Sequence, residues 1–160
     1  MQRLIAITLL ILLSACASTP PDSSLSRQPI SVHAERRPAV VLSAMTLLDT
    51  PYRYGGREPA TGFDCSGLVH YVFSQEASSS PIPRNTSAQA GASRSVSRKH
   101  LRPGDLVFFN TLGKPNSHVG IYIGNNQFIN APSSGGRVRI DSLDNPYFAK
   151  RFDAARTFFE

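Results

Sequence analysis

The chain lacks several features that would point to common classes of protein. It has no tryptophan among its 160 residues. It has only two cysteines, which are too few for the dense disulfide framework of a small secreted domain. Its four histidines occur in no HExxH pattern and with no zinc-ligand spacing, so no metal or other cofactor is expected. The glycine pair at 55 and 56 is not followed by Lys-Ser/Thr, which excludes a P-loop.

A long hydrophobic run is also missing. The apolar stretch at the start runs only from Leu4 to Leu13, whereas a membrane-spanning helix needs about 20 residues. A short basic start followed by such a stretch is typical of a secretory signal. The next residues end in Ser14-Ala15-Cys16 and resemble the bacterial lipobox, in which cleavage precedes a cysteine that becomes lipidated. The sequence therefore predicts a signal peptide over 1–15 and an acylated Cys16.

The rest of the chain divides into a polar segment and one domain. Residues 16–37 are predicted to form a lipidated, disordered tether, because the first part is rich in Ser, Thr and Pro. Residues 38–160 are long enough for one domain with a core, expected to be a monomer. Ala17, rather than Asp, resembles the pattern of lipoproteins sorted to the outer membrane, which predicts an envelope location facing the periplasm.

Acidic residues are scarce, with 11 Asp and Glu against 17 Lys and Arg, so the formal net charge is +6. In an exported protein, a basic surface favours anionic envelope polymers or lipid head groups. No nucleic-acid partner is expected in that compartment.

The hydrophobic periodicity changes along the domain from helical to alternating. Helices are predicted over 38–49, 65–77 and 86–92, and strands over 106–109, 118–123, 127–131, 137–140 and 154–159. Helices followed by a run of strands favour an α+β fold, with N-terminal helices packed on an antiparallel sheet of about five strands.

Cys65 is the one thiol in the predicted domain, and it stands at the start of the second predicted helix, after Asp64 as N-cap. Free backbone N–H groups and the helix dipole at such a position stabilise a thiolate and lower the thiol pKa from about 8.5. Cys65 is therefore a candidate nucleophile. The alternative is a buried cysteine that serves as a small hydrophobe.

A nucleophilic cysteine needs a base, and His118 is the best placed of the four histidines. It begins a predicted strand, and Gly120 on the same face is expected to leave room for the Cys65 helix. Asn130 is the candidate orienting residue: a three-residue loop over 124–126 would pair it with Gly120, diagonal to His118. A two-residue loop would turn it to the other face. The alternative for His118 is a histidine at a strand edge that bonds to a carbonyl, and the alternative for Asn130 is a buried asparagine that bonds to the backbone.

Five segments together resemble the NlpC family of bacterial cell-wall cysteine peptidases. They are PYRYGG at 51–56, FDCSGLV at 63–69, LRPGDLVFF at 101–109, HVGIYIG at 118–124 and FINAP at 128–132, in the family's order. The resemblance implies a papain-like fold, with Cys65 as nucleophile and His118 as base. The family's third residue is most often His, whereas this chain has Asn130, which can orient an imidazole but carries no charge.

The same resemblance assigns a role to Tyr52, which matches a family tyrosine whose hydroxyl lies near the nucleophile. Tyr52 would help the Cys65 N–H to hold an oxyanion, with Tyr54 as the local alternative. The implied function is hydrolysis of amide bonds in peptidoglycan stem peptides or cross-links, through a cysteine thiolate and an acyl-enzyme. The alternatives are a thiol acyltransferase, or a non-catalytic wall-binding lipoprotein on the same fold.

Overall fold

The computed structural model describes residues 29–76 and 81–160. The predicted signal peptide, Cys16 and most of the predicted tether lie outside these residues, as does residue 77, where the second predicted helix ends. In the described part of the chain, no helix has the length and apolar character needed to cross a membrane.

Helices dominate the first half of the domain and strands the second, as the sequence predicts. Within residues 29–76 and 81–160 the α-helices are α1 (Arg37–Met45), α2 (Cys65–Glu76), α3 (Thr86–Gly91) and α4 (Pro146–Ala149). The strands of the same residues are β1 (Arg57–Glu58), β2 (Gly62–Phe63), β3 (Arg94–Val96), β4 (Leu106–Phe109), β5 (His118–Gly124), β6 (Gln127–Asn130), β7 (Arg139–Ser142) and β8 (Phe152–Thr157). Short 3-10 helices lie at Ala34–Arg36 and Arg98–His100.

The main sheet has six antiparallel strands in the order β3-β8-β4-β5-β6-β7. The expected α+β class is confirmed, and the count of about five strands is one short. β3 is the strand that the sequence pattern misses: its residues, Arg94-Ser95-Val96, carry one apolar side chain and show no clear alternation. The hairpin of β1 and β2 is a second unpredicted element, formed in the polar stretch before Cys65.

The sheet is covered on both faces, because its strands alternate apolar side chains to either side. On one face, α1 and α2 pack against a cluster that includes Phe73, Phe108 and Ile121. On the other face, α4 contributes Phe148 to a smaller cluster with Phe109 and Phe128. α2 therefore lies on one face only, and its first turn reaches the end of the sheet where β5 begins.

The folded domain begins earlier than the predicted boundary at residue 38. Residues 29–33, which we call the strap, run beside the end of the chain. Ile30 and Val32 are buried, the Ile30 N–H donates to the Ala92 carbonyl, and Val32 pairs with Phe159. The prediction of a disordered tether through residue 37 is thus wrong for this segment. Two isolated apolar residues in a polar stretch give too weak a pattern to indicate a strand.

The β5–β6 hairpin has the predicted register, but its turn and its bulge differ from the predicted loop. Asn125 and Asn126 both have positive φ and form a two-residue turn, not the three-residue loop that the sequence analysis required. Ile123 forms a bulge, because Tyr122 pairs with Phe128 while Gly124 pairs with Gln127. The extra residue restores the alternation that a two-residue turn alone would invert, so Asn130 keeps the face of His118.

Candidate active site

Cys65 is the first residue of α2, and Asp64 caps that helix. The Gly67 N–H donates to Asp64 Oδ1 at 2.7 Å, which is the predicted N-cap bond. The Arg84 guanidinium binds both oxygens of the same carboxylate, at 2.9 and 3.0 Å. Burial alone would raise the pKa of Asp64, but the hydrogen bonds from Arg84 and Gly67 hold it below its usual range. The start of the helix is thus fixed by an ion pair as well as a cap.

The segment that carries Tyr52 lies directly against this helix start. The Arg84 guanidinium also donates to the Gly56 carbonyl at 3.0 Å, and the Gly55 N–H donates to Asp64 Oδ2 at 2.9 Å. An added Cβ on Gly67 would lie 1.9 Å from the Gly56 oxygen, so only glycine permits this approach. The contact positions residues 52–56 beside the thiol.

A cleft of about 580 Å³ opens at this point, and Cys65, His118 and Tyr52 all line it. Asn130 does not line it; its side chain is fully buried behind His118. Tyr54 also borders the cleft, but it is 90% exposed, whereas Tyr52 is half-buried. Burial, then the charges of Asp64 and Cys65, raise the pKa of Tyr52.

His118 is the first residue of β5, and its ring is buried against aromatic side chains. The ring lies 6.2 Å from Phe148 and 6.1 Å from Phe109, between centroids. Burial lowers the pKa of His118, while the hydrogen bond that the ring donates to Asn130 and the charge of Asp141 oppose that shift. Its imidazole is therefore neutral at pH 7 and able to accept a proton.

Gly120 was expected to leave room for the Cys65 helix, but it packs against β6 instead. It lies on the face away from α2, where a Cβ would stand 2.5 Å from Phe128 Cδ2 and 3.3 Å from Asn130 Cβ. The glycine thus makes room for two side chains of β6 and not for the Cys65 helix. The expectation misassigned the face, because His118 reaches the cleft from the end of its strand and not across the sheet.

The predicted contact between His118 and Asn130 is present. Nε2 of the imidazole lies 2.9 Å from Asn130 Oδ1. The Asn130 amide nitrogen donates to Asp141 Oδ2 at 2.8 Å, so the amide oxygen faces the histidine and Nε2–H is the donor. Nδ1 is then unprotonated and is the atom left to receive a proton.

The thiol of Cys65 has the opposite pKa shift from the one that its helix position predicts. Burial, with a contribution from the Asp64 charge, raises the pKa of Cys65 to about 11. Backbone N–H groups of Val119, Ser66 and Cys65 act in the other direction but do not compensate. Burial therefore favours the neutral forms of both the thiol and the imidazole, which is the opposite of the expected thiolate.

This shift makes a prediction for alkylation of a Cys16→Ser variant, in which Cys65 is the only thiol. Iodoacetamide reacts with thiolate, so below a pKa of about 11 the rate should rise about tenfold for each unit of pH between 7 and 10. The same protein unfolded in guanidinium should show a midpoint near the ordinary value of about 8.5. Labelling that is fast and independent of pH between 6 and 8 would instead show a thiolate–imidazolium pair at rest.

Two residues that sequence reasoning missed complete the surroundings of the site. Arg84 binds the cap carboxylate of α2, and Asp141 binds Asn130. A weak signal existed for each: Arg84 is the one cation in the Pro/Ser/Asn/Thr stretch after α2, and Asp141 directly follows the strand predicted over 137–140. In residues 29–76 and 81–160, no group of three or more His, Cys, Asp or Glu side chains is arranged to hold a metal.

A cysteine at a helix start, facing a cleft that it shares with a histidine on an antiparallel sheet, defines a papain-like fold. The chain belongs to the NlpC/P60 family, whose sequence profile matches residues 49–157. The resemblance seen in the sequence is thereby confirmed.

Individual relatives agree with this assignment. The chain is 49% identical to "Murein DD-endopeptidase MepS/Murein LD-carboxypeptidase" of Escherichia coli K12, over 66% of this chain and 54% of that protein. It is 48% identical to "Probable endopeptidase NlpC" of the same strain, over 67% of this chain and 68% of that protein. The crystal structure of the NlpC/p60 domain of the peptidoglycan hydrolase SagA superposes with a TM-score of 0.66, at 36% identity, covering 76% of this chain and 97% of that one. The chain spans about half the length of the murein DD-endopeptidases it matches.

Proposed function

We propose that this protein is a peptidoglycan endopeptidase that hydrolyses amide bonds of stem peptides or cross-links through Cys65. The observation that carries the proposal is the shared cleft, which is lined by Cys65 at the start of α2 and by His118 at the start of β5. The names of the relatives support the substrate class, since they describe murein endopeptidases and a peptidoglycan hydrolase.

The pKa directions of the two groups set the order of proton transfers. Because burial favours the neutral thiol and the neutral imidazole, Nδ1 of His118 accepts the thiol proton as the sulfur attacks the substrate carbonyl and forms the C–S bond. The imidazolium then gives that proton to the nitrogen of the scissile amide, the C–N bond breaks, and a thioester remains. Water attacks the thioester with His118 as base, and the thiol leaves with the returned proton.

We assign two groups to bind the oxyanion that forms in both attacks. The first is the backbone N–H of Cys65, because the first N–H groups of a helix have no backbone partner within that helix. The Tyr52 hydroxyl is the second donor that we assign, since Tyr52 is half-buried and lines the same cleft as Cys65. Tyr54 is too exposed to hold a fixed position there.

Hydrolysis in H₂¹⁸O of a purified cross-linked muropeptide tests the proposed reaction. One ¹⁸O atom is expected in each new carboxyl group, together with one new amine, and mass spectrometry of the fragments identifies the bond. Addition of an amine such as glycinamide tests the acyltransferase alternative, which predicts an amide product without ¹⁸O. If the peptide stays intact but binds, the non-catalytic wall-binding role replaces the enzyme.

We also propose that the domain is anchored in the envelope as a monomer, by acylation of Cys16 after removal of residues 1–15, and faces the periplasm from the outer membrane. The lipobox-like residues before Cys16 and the polar sequence of 17–28 support this arrangement. We expect Cys16→Ser to move the protein from the membrane fraction to the soluble fraction and to abolish the acyl mass increment at the N-terminus. Ser14→Thr in the same segment is the matched control and should remain in the membrane fraction. Unchanged fractionation of Cys16→Ser would refute the anchor.

A further inference from the structure

Three adjacent strands carry a row of polar side chains on the face of His118. In the register of the sheet, Asn130 on β6 is opposite Arg139 on β7, and Asp141 lies two residues further along β7, on the same face. Asn130 is fully buried and Asp141 is largely buried. A buried amide and carboxylate so close to a histidine need partners, and each finds one in the row.

The hydrogen bonds in this row converge on Asp141, which accepts from both Asn130 and Arg139. Arg139 Nε donates to Asp141 Oδ2 at 2.8 Å, and the Arg139 side chain is also held by the Ser134 carbonyl at 3.1 Å. The Asn130 amide nitrogen donates to the same Asp141 oxygen at 2.8 Å and to the Arg139 carbonyl at 3.4 Å. Asn130 Oδ1 faces Nε2 of His118 at 2.9 Å.

The two ends of an asparagine amide are alike in shape and opposite in hydrogen bonding. If Asn130 rotated by 180° about its last bond, its NH₂ group would face Nε2 of His118. The imidazole would then have to accept at Nε2 and carry its proton on Nδ1, the atom that must receive the thiol proton. Asn130 therefore orients the base correctly only if something fixes which end faces the histidine.

We propose that Asp141, held in place by Arg139, is the positioning residue that fixes the orientation of the Asn130 amide and thereby the reactive tautomer of His118. An ionised carboxylate can only accept, so it excludes the amide oxygen from its side and draws the NH₂ group to itself. The inference rests on the proposed function, because it deepens the role of His118 as base.

The charge of Asp141 has a second effect in the same direction. It favours the imidazolium form of His118, which arises when the thiol proton is transferred. The neighbouring Arg139 acts against this form, but its own ion pair with Asp141 limits the opposition. The Asn130 amide carries no charge, so the negative charge near His118 comes from Asp141.

Asp141→Asn is the test, because it keeps the size of the side chain and removes the shorter of the two contacts that hold the Asn130 NH₂ group, leaving only the Arg139 carbonyl at 3.4 Å. We expect kcat on a muropeptide to fall about 10- to 100-fold with KM unchanged, since a histidine in the wrong tautomer cannot act as base. Asp141→Glu, which remains an acceptor, should recover part of the loss. Asp144→Asn is the matched control: Asp144 also accepts from an asparagine amide, that of Asn126, but on the exposed surface, and it should keep the wild-type kcat.

A second readout does not depend on substrate. Long-range ¹⁵N–¹H spectra of ¹⁵N-histidine-labelled protein at pH 7.5 show which ring nitrogen of His118 carries the proton. We expect Nε2–H in the wild type and in Asp144→Asn, and a population of Nδ1–H in Asp141→Asn. An unchanged tautomer together with an unchanged kcat in Asp141→Asn would overturn the inference. If the wild type failed to hydrolyse any muropeptide, the proposed function would fail, while the spectra would still decide the role of Asp141.

Discussion

The Cys65→Ala protein is expected to release no more new amino termini from purified sacculi than buffer does. Removal of a catalytic nucleophile leaves no route through an acyl-enzyme, and such losses in kcat are on the order of 10⁴-fold or more. The side chain is small and partly buried, so its replacement should lower the free energy of unfolding by no more than about 1–2 kcal/mol. Activity would thus disappear from a protein that is still folded.

Thermal unfolding and binding of the variant to sacculi establish that the fold and the cleft persist. Cys16→Ala removes the other thiol and is the matched control; on soluble muropeptides it should retain the wild-type rate. Activity in Cys65→Ala within tenfold of the wild type would show that another group, or no covalent step, carries the reaction.

Gly67→Ala is expected to have the largest effect of any single methyl group added near the site. Helix propensity alone would favour alanine by about 1 kcal/mol. The added Cβ, however, would lie 1.9 Å from the Gly56 oxygen, a backbone atom held in turn by Arg84. Relief requires residues 52–56 to move away from α2, and such overpacking costs about 1–3 kcal/mol, occasionally more.

The same displacement should reduce catalysis, because Tyr52 and the cap of the Cys65 helix both depend on this contact. A shift of about 1 Å in a positioning element can lower the rate about 100-fold. Urea unfolding and kcat/KM measure the two effects on one preparation. Gly91→Ala is the matched control, since Gly91 also lies in a helix and a Cβ there meets nothing within 4 Å. A Gly67→Ala protein as stable and as active as Gly91→Ala would show that the close approach is dispensable.

Helices and strands whose pattern lies within a short stretch of sequence were predictable. α2 follows a capping aspartate and has an apolar stripe, and β4, β5 and β6 have strong β-branched and aromatic content. Their order along the chain was enough to predict the α+β class and the contact between His118 and Asn130.

Features that depend on distant parts of the chain were not predictable from one sequence. The pKa of Cys65 follows from how deeply the folded chain buries it, whereas its position in the helix indicates only the opposing contribution of the N–H groups. The bulge at Ile123 has no distinct composition, so the loop length was wrong although the register was right. Arg84 and Asp141 act on residues 20 and 11 positions away, which no local pattern reveals.

The strap determines where a force applied to the chain on the N-terminal side of residue 29 enters the domain. Such a load enters the domain at the hydrogen bonds of Ile30 and Val32, next to the opposite terminus of the chain, and not through any residue that lines the cleft. The first event under tension would be the peeling of these few residues from the edge of the fold. The residues that line the cleft would keep their arrangement while the strap detaches.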